Sequence, residues 1–353
     1  MRHASHFFSA FLLLSLYFSC KERGQSRQSG YPNQFQTDLI DTSSIITDYK
    51  TIFSPKAPTR ITRQIRQDSK GNLLIAAYEA VIRYDGKSFR NITKEAGLDN
   101  PYAFDVLEDR AGNIWIASDQ TGVFRIGLTG TVTHFTTDDG LAHNRNMCIY
   151  EDRKGHIWIG GQGGISRYDG VTFTNFTTED GLPHHDINTI VQDRTGKLWI
   201  GTRGNACIYD GKTFTEILND KGEPLGNVWS FMEDQNGNIW YNSDGLWRYD
   251  GDSFTHVNTL SGICIYEDQN GNIWFNPGHT GQYESGLSRF EAKSLLHDKP
   301  EATHIFQSNG TFLGISEDRE GHLWIGGGDG ICRYDGKSVH YYTGKQGKDS
   351  SGN

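Results

Sequence analysis

The chain has 353 residues, with 42 glycines, 8 prolines, 19 Phe, 16 Tyr and 8 Trp, and 22% charged residues. Glycine above the usual level of about 7%, together with so many rings, argues against disorder, which is poor in aromatics, and against a helical fold, which avoids glycine. A net charge of −9 with no basic run beyond the extreme N-terminus argues against nucleic acid as a partner, since phosphate binding needs clustered Lys and Arg.

Residues 1–19 carry an early Arg2 and then the apolar run Phe7–Phe18. That run is shorter than the roughly 20 residues a membrane span needs, and it suits a signal peptide. Ser19-Cys20 closes it and resembles a bacterial lipoprotein box, which implies cleavage before Cys20 and lipidation of its thiol. Bulky Tyr17 and Phe18 depart from the strict box, as the looser boxes of Bacteroidota lipoproteins do. No aspartate follows Cys20, which points away from retention in the inner membrane. The expectation is an outer-membrane lipoprotein on the periplasmic or surface face, with the lipid as its membrane contact. Residues 20–47 are polar and without pattern, and they read as a tether.

From 48 to 343 one phrase recurs, close to E-D-x-x-G-N-I-W-I-G. Its aspartates are Asp68, Asp109, Asp152, Asp193, Asp234, Asp268 and Asp318, at spacings of 41, 43, 41, 41, 34 and 50. A mean near 42 matches one four-stranded propeller blade of about 40–45 residues. In the third and fourth copies the strands read as Asn188–Val191 before the turn, Lys197–Ile200 after it, then Ile165–Tyr168 and Thr172–Phe176 as the types of the outer two. Seven copies in register predict an all-β fold, a seven-bladed β-propeller of four-stranded antiparallel blades. Tyr49–Ser54 has the pattern of a fourth strand, yet the last copy owns one in Val339–Tyr342. Either the two compete for one slot or one of them adds an extra outer strand. Residues 344–353 read as a disordered tail.

Turn chemistry accounts for the recurring letters. The D-x-x-G carboxylate can accept backbone N–H groups within its turn, and the glycine supplies positive φ. The later Asp-Gly pair (Asp85, Asp169, Asp210, Asp250, Asp335) is the residue choice of a two-residue hairpin turn. Trp115, Trp158, Trp199, Trp240, Trp274 and Trp324 should pack between blades, with Leu74 in the first copy. Arginines recur on the third strand and should stack on these tryptophans or pair with turn carboxylates. Each turn offers one carboxylate, too few donors for calcium. Cys148, Cys207, Cys264 and Cys332 have no metal spacing, and the expectation is four free buried thiols with no two in adjacent blades.

The copies resemble the two-component regulator propeller family over residues 60–343, most closely in Gly181–Thr202. In that family the propeller usually forms the periplasmic sensor of a hybrid histidine kinase in Bacteroidota, and glycan fragments are the implied ligands. One propeller and no kinase segment are visible here, so the resemblance implies the fold and a ligand-binding role rather than kinase activity. A more distant resemblance is to the streptogramin B lyase propeller.

Function should sit where the repeat breaks, on the face opposite the D-x-x-G turns, where blades are linked. Candidate ligand-binding residues there are Tyr102, Asp119, Arg145, Gln162, His185, Arg203, Trp229, His279, Tyr283 and Glu284. Aromatic rings beside Arg, His and Asp suit stacking on and hydrogen bonding to sugars. A shortened link at Asn258–Gly262 beside an enlarged turn at Asn276–Gly286 places the mouth near blades five and six. The reading is a non-enzymatic propeller that binds a glycan, a small molecule or a protein partner. The alternative is a lyase or glycan-active enzyme using His184-His185-Asp186, or His279 with Glu284. Neither a metal nor a cofactor is called for.

Overall fold

The computed structural model describes residues 40–41, 45–46, 50–260, 262–277, 286–297, 300–307 and 312–346. Seven antiparallel sheets stand in a ring, each built from four strands contiguous in the chain. The innermost strands are Thr62–Gln67, Ala103–Glu108, Asn146–Glu151, Ile187–Gln192, Ser230–Glu233, Gly262–Glu267 and Ile315–Glu317. They define blades 1 to 7 in that order. Both faces of the second strand of each blade are buried, as in Leu73–Ala77 or Leu198–Thr202, because each blade is sandwiched between two others.

The D-x-x-G turn is built around one carboxylate. In blade 4, Asp193 Oδ1 accepts the N–H groups of Thr195 (2.8 Å) and Lys197 (3.0 Å), and Oδ2 accepts Trp199 Nε1–H at 2.8 Å. The Trp-to-Asp bond recurs at Trp115, Trp158, Trp240, Trp274 and Trp324. The tryptophan therefore has two tasks. It satisfies the carboxylate of its own blade, and its ring packs on a tyrosine of the next, as Trp158 does on Tyr209 at 5.7 Å. Burial alone would push the Asp152, Asp193 and Asp318 carboxyls up, but these donors outweigh it and hold them below the ordinary aspartate range.

Blade 1 has Leu74 in place of the tryptophan; Asn72 Nδ2 donates to Asp68 Oδ2 at 2.9 Å, and an arginine stands beside the carboxylate as its cation. Arg83 Nε lies 3.1 Å from Asp68 Oδ2. Elsewhere the third-strand arginines lie over tryptophan rings: Arg125 over Trp115 at 5.5 Å, Arg167 over Trp158 at 5.8 Å and Arg289 over Trp274 at 5.4 Å.

The residue before each turn aspartate fastens neighbouring blades. Glu151 accepts Arg110 N–H at 3.0 Å, Gln192 Oε1 accepts Arg153 N–H at 2.8 Å, and Glu233 accepts Arg194 N–H at 3.0 Å. Glu267 and Glu317 do the same for Gln235 and Gln269, and Glu108 for Ser69. At the closing interface Gln67 Nε2 donates to the Glu317 carbonyl at 2.5 Å. Trp324 of blade 7 packs on Tyr84 of blade 1 at 4.7 Å, so the seam keeps the ring contact of the other interfaces while its polar contact is reversed, the side chain donating instead of accepting.

Three expectations change in detail. Lys50–Phe53 adds a fifth, outer strand to blade 7, parallel to Val339–Thr343. Ile40–Asp41 likewise adds one to blade 6, and Ile46 bridges to Phe306; these residues lie within the segment read as a tether. The Asp-Gly pair does not make a two-residue turn. Tyr84 pairs with Phe89, so the loop has four residues, and Asp85 Oδ1 accepts the N–H groups of Lys87 and Ser88. The four thiols are free, but they are not isolated. Cys148 and Cys207 sit in adjacent blades 3 and 4 and share one apolar cluster, as do Cys264 and Cys332 in blades 6 and 7.

The blade-1 substitution predicts a contrast. Arg83→Met leaves the buried Asp68 carboxylate short of its cation and should lower the unfolding free energy by about 1–3 kcal/mol. Arg125→Met loses its ring stacking and a long 3.3 Å hydrogen bond to the Thr133 hydroxyl but strips no carboxylate of a partner, and should cost less than about 1 kcal/mol. Urea unfolding of the two variants tests the order, and equal losses would refute the division of labour.

The turn aspartates also predict an acid transition. A carboxyl lowered on folding is protonated in the unfolded chain first, so its contribution is present above about pH 4 and is lost as the pH falls. Asp335 extends the loss furthest: burial opposes, but donation from Ser338 and Lys337 holds it at about 2. Glu151, Glu267 and Glu317 are pushed up by burial and act with the opposite sign, adding stability as they protonate. Buried His304, whose pKa is lowered by burial, takes away a little stability below about pH 6.5, so the melting temperature should change only gently down to about pH 4.5 and drop steeply below about pH 4. A steep fall already between about pH 7 and pH 5 contradicts this assignment.

Candidate functional site

The channel down the ring axis has a volume of about 530 Å³. The innermost strands enter at the link face and run down to the D-x-x-G turns. Near their start the pairing with the second strand slips by one residue between Thr62 and Gln64, Ala103 and Asp105, Asn146 and Cys148, and Ile187 and Thr189. A similar slip occurs between Gly262 and Ile265. Each slip is a β-bulge, which re-aims the extra side chain. The bulge residues Arg63, Phe104, Met147, Asn188 and Ile263 all line the channel. Trp229 and Leu313 occupy the same repeat position in blades 5 and 7 and line it too. This position, five residues before the turn aspartate, holds a different residue type in every blade.

Of the residues expected from the sequence, Trp229 lines the channel and the others described lie on the rim around it. Asp119 and Arg145 form an ion pair at 2.6 Å, with side chains 9% and 24% exposed. Tyr102 is tied to them through its carbonyl, which accepts Asp119 N–H at 3.0 Å. Its ring meets Tyr78 edge-on at 5.1 Å. Tyr102 adopts φ of 52°, a left-handed conformation rare for a bulky residue. Gln162 N–H donates to the Arg145 carbonyl at 3.0 Å. That link can settle because Gly161 lies beneath it, where a Cβ would fall 2.1 Å from the Arg145 oxygen. The links are preset by short capped turns. Thr136 and Asp139 make one capping box and Thr177 and Asp180 the next, while Leu141 and Leu182 anchor the start of each link in the core.

Across blades 4 and 5 a second group forms. Arg203 lies 3.9 Å from Asp186 and 6.0 Å over the Trp229 ring. His185 Nε2 is 3.7 Å from Asp186 Oδ1. His184, His185 and Asp186 come close enough to suggest a metal triad. However, the two imidazoles stack nearly parallel at 4.5 Å, so their lone pairs do not converge, and His184 Nδ1 already accepts Asp186 N–H. At Asp318, Glu320 and His322 the guanidinium of Arg333 holds the His322 ring nitrogen at 2.9 Å. His279, Tyr283, Glu284 and Cys20 lie outside the described residues.

Deeper in the channel, Arg66 binds Asp105 through Nε (3.1 Å) and Nη2 (2.8 Å) and also donates to the Ile149 carbonyl. Arg63, three residues earlier on the same strand, makes no ion pair among the described residues. Its guanidinium lies 4.0 Å over the Phe104 ring. Burial pushes its pKa down to about 10, against the pull of Asp119.

Three of the repeats match a known family. Residues 97–120, 140–163 and 181–204 match the two component regulator propeller family, so these repeats are of that type. The fold is similar to the extracellular domains of two proteins of B. thetaiotaomicron described as hybrid two component systems. One is 21% identical with a TM-score of 0.64, over 77% of this chain and 39% of that one. The other is 18% identical with a TM-score of 0.66, over 81% of this chain and 39% of that one. The chain thus spans well under half the length of these sensors. It is also similar to an inactive variant of virginiamycin B lyase from Staphylococcus aureus, solved with quinupristin. That match is 16% identical with a TM-score of 0.61, over 79% of this chain and 95% of that one. A search of curated protein sequences returns no match.

Proposed function

We propose that the protein is a non-enzymatic ligand-binding propeller of the bacterial cell envelope, with its ligand seated at the link-face mouth of the channel. The observation that carries this reading is the upper ring. The repeat is nearly uniform at the D-x-x-G face, yet at one position it turns seven unlike side chains into a shared cavity. Uniform positions serve the scaffold, and a ring of different residues around an open cavity is what discrimination among ligands requires. Carbohydrate is the favoured ligand class, because Trp229 offers a face for a sugar ring while Asn188 and the rim supply polar partners. Repeats of the two component regulator propeller type, and a fold like that of the extracellular domain of a hybrid two component system, support a role in sensing or capture. The lyase alternative rests on fold alone, and stacked His184 and His185 with a committed His184 Nδ1 favour binding over catalysis.

A thermal-shift screen of the mature protein against neutral and acidic oligosaccharides tests the reading. At least one should raise the melting temperature, and Trp229→Ala should weaken that ligand at least about tenfold, or about 1.4 kcal/mol. Binding untouched by Trp229→Ala would move the site away from the channel mouth.

Anchoring belongs to the same proposal and rests on Cys20 closing the apolar N-terminal run. Cells expressing the protein should incorporate a labelled fatty acid into it, and Cys20→Ser should abolish the label and release the protein from the membrane fraction. Labelling that survives the substitution would refute the lipid anchor.

A further inference from the structure

We propose that Arg63 is an anion-recognition residue, and that the ligand at the channel mouth presents a carboxylate or sulfate oxyanion to its guanidinium. The inference rests on the proposed binding role and adds the chemical class of the ligand.

Among the described residues, the charged groups lining the channel are Arg63, Arg66 and Asp105. Arg66 and Asp105 neutralise each other through a two-pronged ion pair, and Asp105 also accepts Ile149 N–H at 3.0 Å. This lining is left with one uncompensated positive charge, on a chain whose net charge is −9. Arg63 and Arg66 sit on one strand, three residues apart, so the fold supplies a carboxylate to one arginine and withholds it from the other.

The nearest candidate to neutralise Arg63 is committed elsewhere. Asp119 attracts it but holds Arg145 at 2.6 Å, and Arg145 repels Arg63 in turn. Glu79, on the same face, spends Oε1 on the N–H and hydroxyl of Thr59 and the N–H of Arg60; its Oε2 has no hydrogen-bond partner, and among the described residues it makes no ion pair with Arg63. Arg63 Nε is buried without a hydrogen-bond partner. A cation partly withdrawn from water without a partner is costly, and the lowered pKa of half-buried Arg63 expresses that cost while leaving it protonated at neutral pH. An arriving oxyanion would supply the missing partner.

The geometry is that of a prepared donor. With its central carbon 4.0 Å over the Phe104 ring, the guanidinium is held against that wall of the channel. A planar fork held in this way matches the two oxygens of a carboxylate or sulfate. Elsewhere in the ring, Asn188 spends Nδ2 on the Val228 carbonyl at 3.0 Å and leaves a buried Oδ1 without a donor. Trp229 adds an aromatic face. The ligand that satisfies all of these carries an oxyanion, a hydroxyl and a flat apolar face, which describes a sugar acid or a sulfated sugar.

The test uses the full mature chain and four probes: sodium glucuronate, glucose, sodium sulfate, and sodium chloride at matched ionic strength. Melting temperature and titration calorimetry are the readouts. Wild type should give a saturable response to glucuronate, to sulfate or to both, and none to glucose or chloride. Saturation by sulfate alone identifies a free anion site, and saturation by glucuronate alone identifies a ligand-borne carboxylate; either supports the proposal. Arg63→Met keeps the stem on Phe104 and should lose at least tenfold in affinity, while Arg63→Lys, with charge but no fork, should fall between. Should Arg63→Met not fold, Arg63→Lys against wild type still reads the effect. Equal responses of wild type and variants, or no saturable anion response, overturn the proposal. If a neutral oligosaccharide binds in a Trp229-dependent manner and is indifferent to Arg63, the binding role stands and the anion assignment falls. If no neutral or acidic probe binds, both fall.

Discussion

A carboxylate placed where water cannot reach it governs this fold. Such a group must collect its donors from the protein, and each D-x-x-G aspartate does so from a narrow arc of sequence. Two backbone N–H groups come from the turn itself, and a third donor reaches back from the tryptophan six residues on. Satisfying that carboxylate fixes the hairpin between the first two strands and the depth of the tryptophan. It also sets the register from which the rest of the blade is counted. The residue just before it then reaches across to the neighbouring blade. Blade 1 meets the same requirement without an indole: Asn72 Nδ2 donates to Asp68 Oδ2 at 2.9 Å, and the Arg83 guanidinium stands beside the carboxylate as a cation.

This anchoring divides the molecule into a constrained end and a permissive one. Close to the turn, any change in register would orphan a buried acid. Five residues upstream, an inserted bulge disturbs little, and the bulges that occur there turn side chains into the channel. The link face is held together more loosely, through carbonyls of the links that accept N–H groups from the turns beneath them. The pattern leaves side chains such as Asp119, Arg145 and Arg203 available to one another and to a ligand. The scaffold and the variable ring are therefore two ends of the same strand.

The architecture was legible because seven copies in register define both period and strand order. The arginine stacks were legible too, since a cation at a fixed offset from a tryptophan has few other roles. Finer features were hidden for physical reasons. An Asp-Gly pair does not say how many residues separate the flanking partners, and pairing of Tyr84 with Phe89 makes the loop four residues long. A bulge adds one residue to an alternating pattern and cannot be told from an ordinary strand position, so of the seven residues in the channel ring the sequence reading named Trp229 and not the other six. The usable signal was the variety at that one repeat position, where Arg63, Phe104, Met147 and Asn188 stand in successive copies. The short pairing of Ile40–Asp41 with blade 6 has too few residues to carry a pattern at all.

The two parallel outer strands have a mechanical consequence. Load entering from the N-terminal side first meets the two-residue pairing on blade 6, and then the four-residue pairing on blade 7. Both lie outside blades that already own four strands. Peeling them away in that order would lengthen the chain ahead of blade 1 without opening a four-stranded blade or the closing seam, so the two pairings stand in series between a pull on the N-terminal side and the channel.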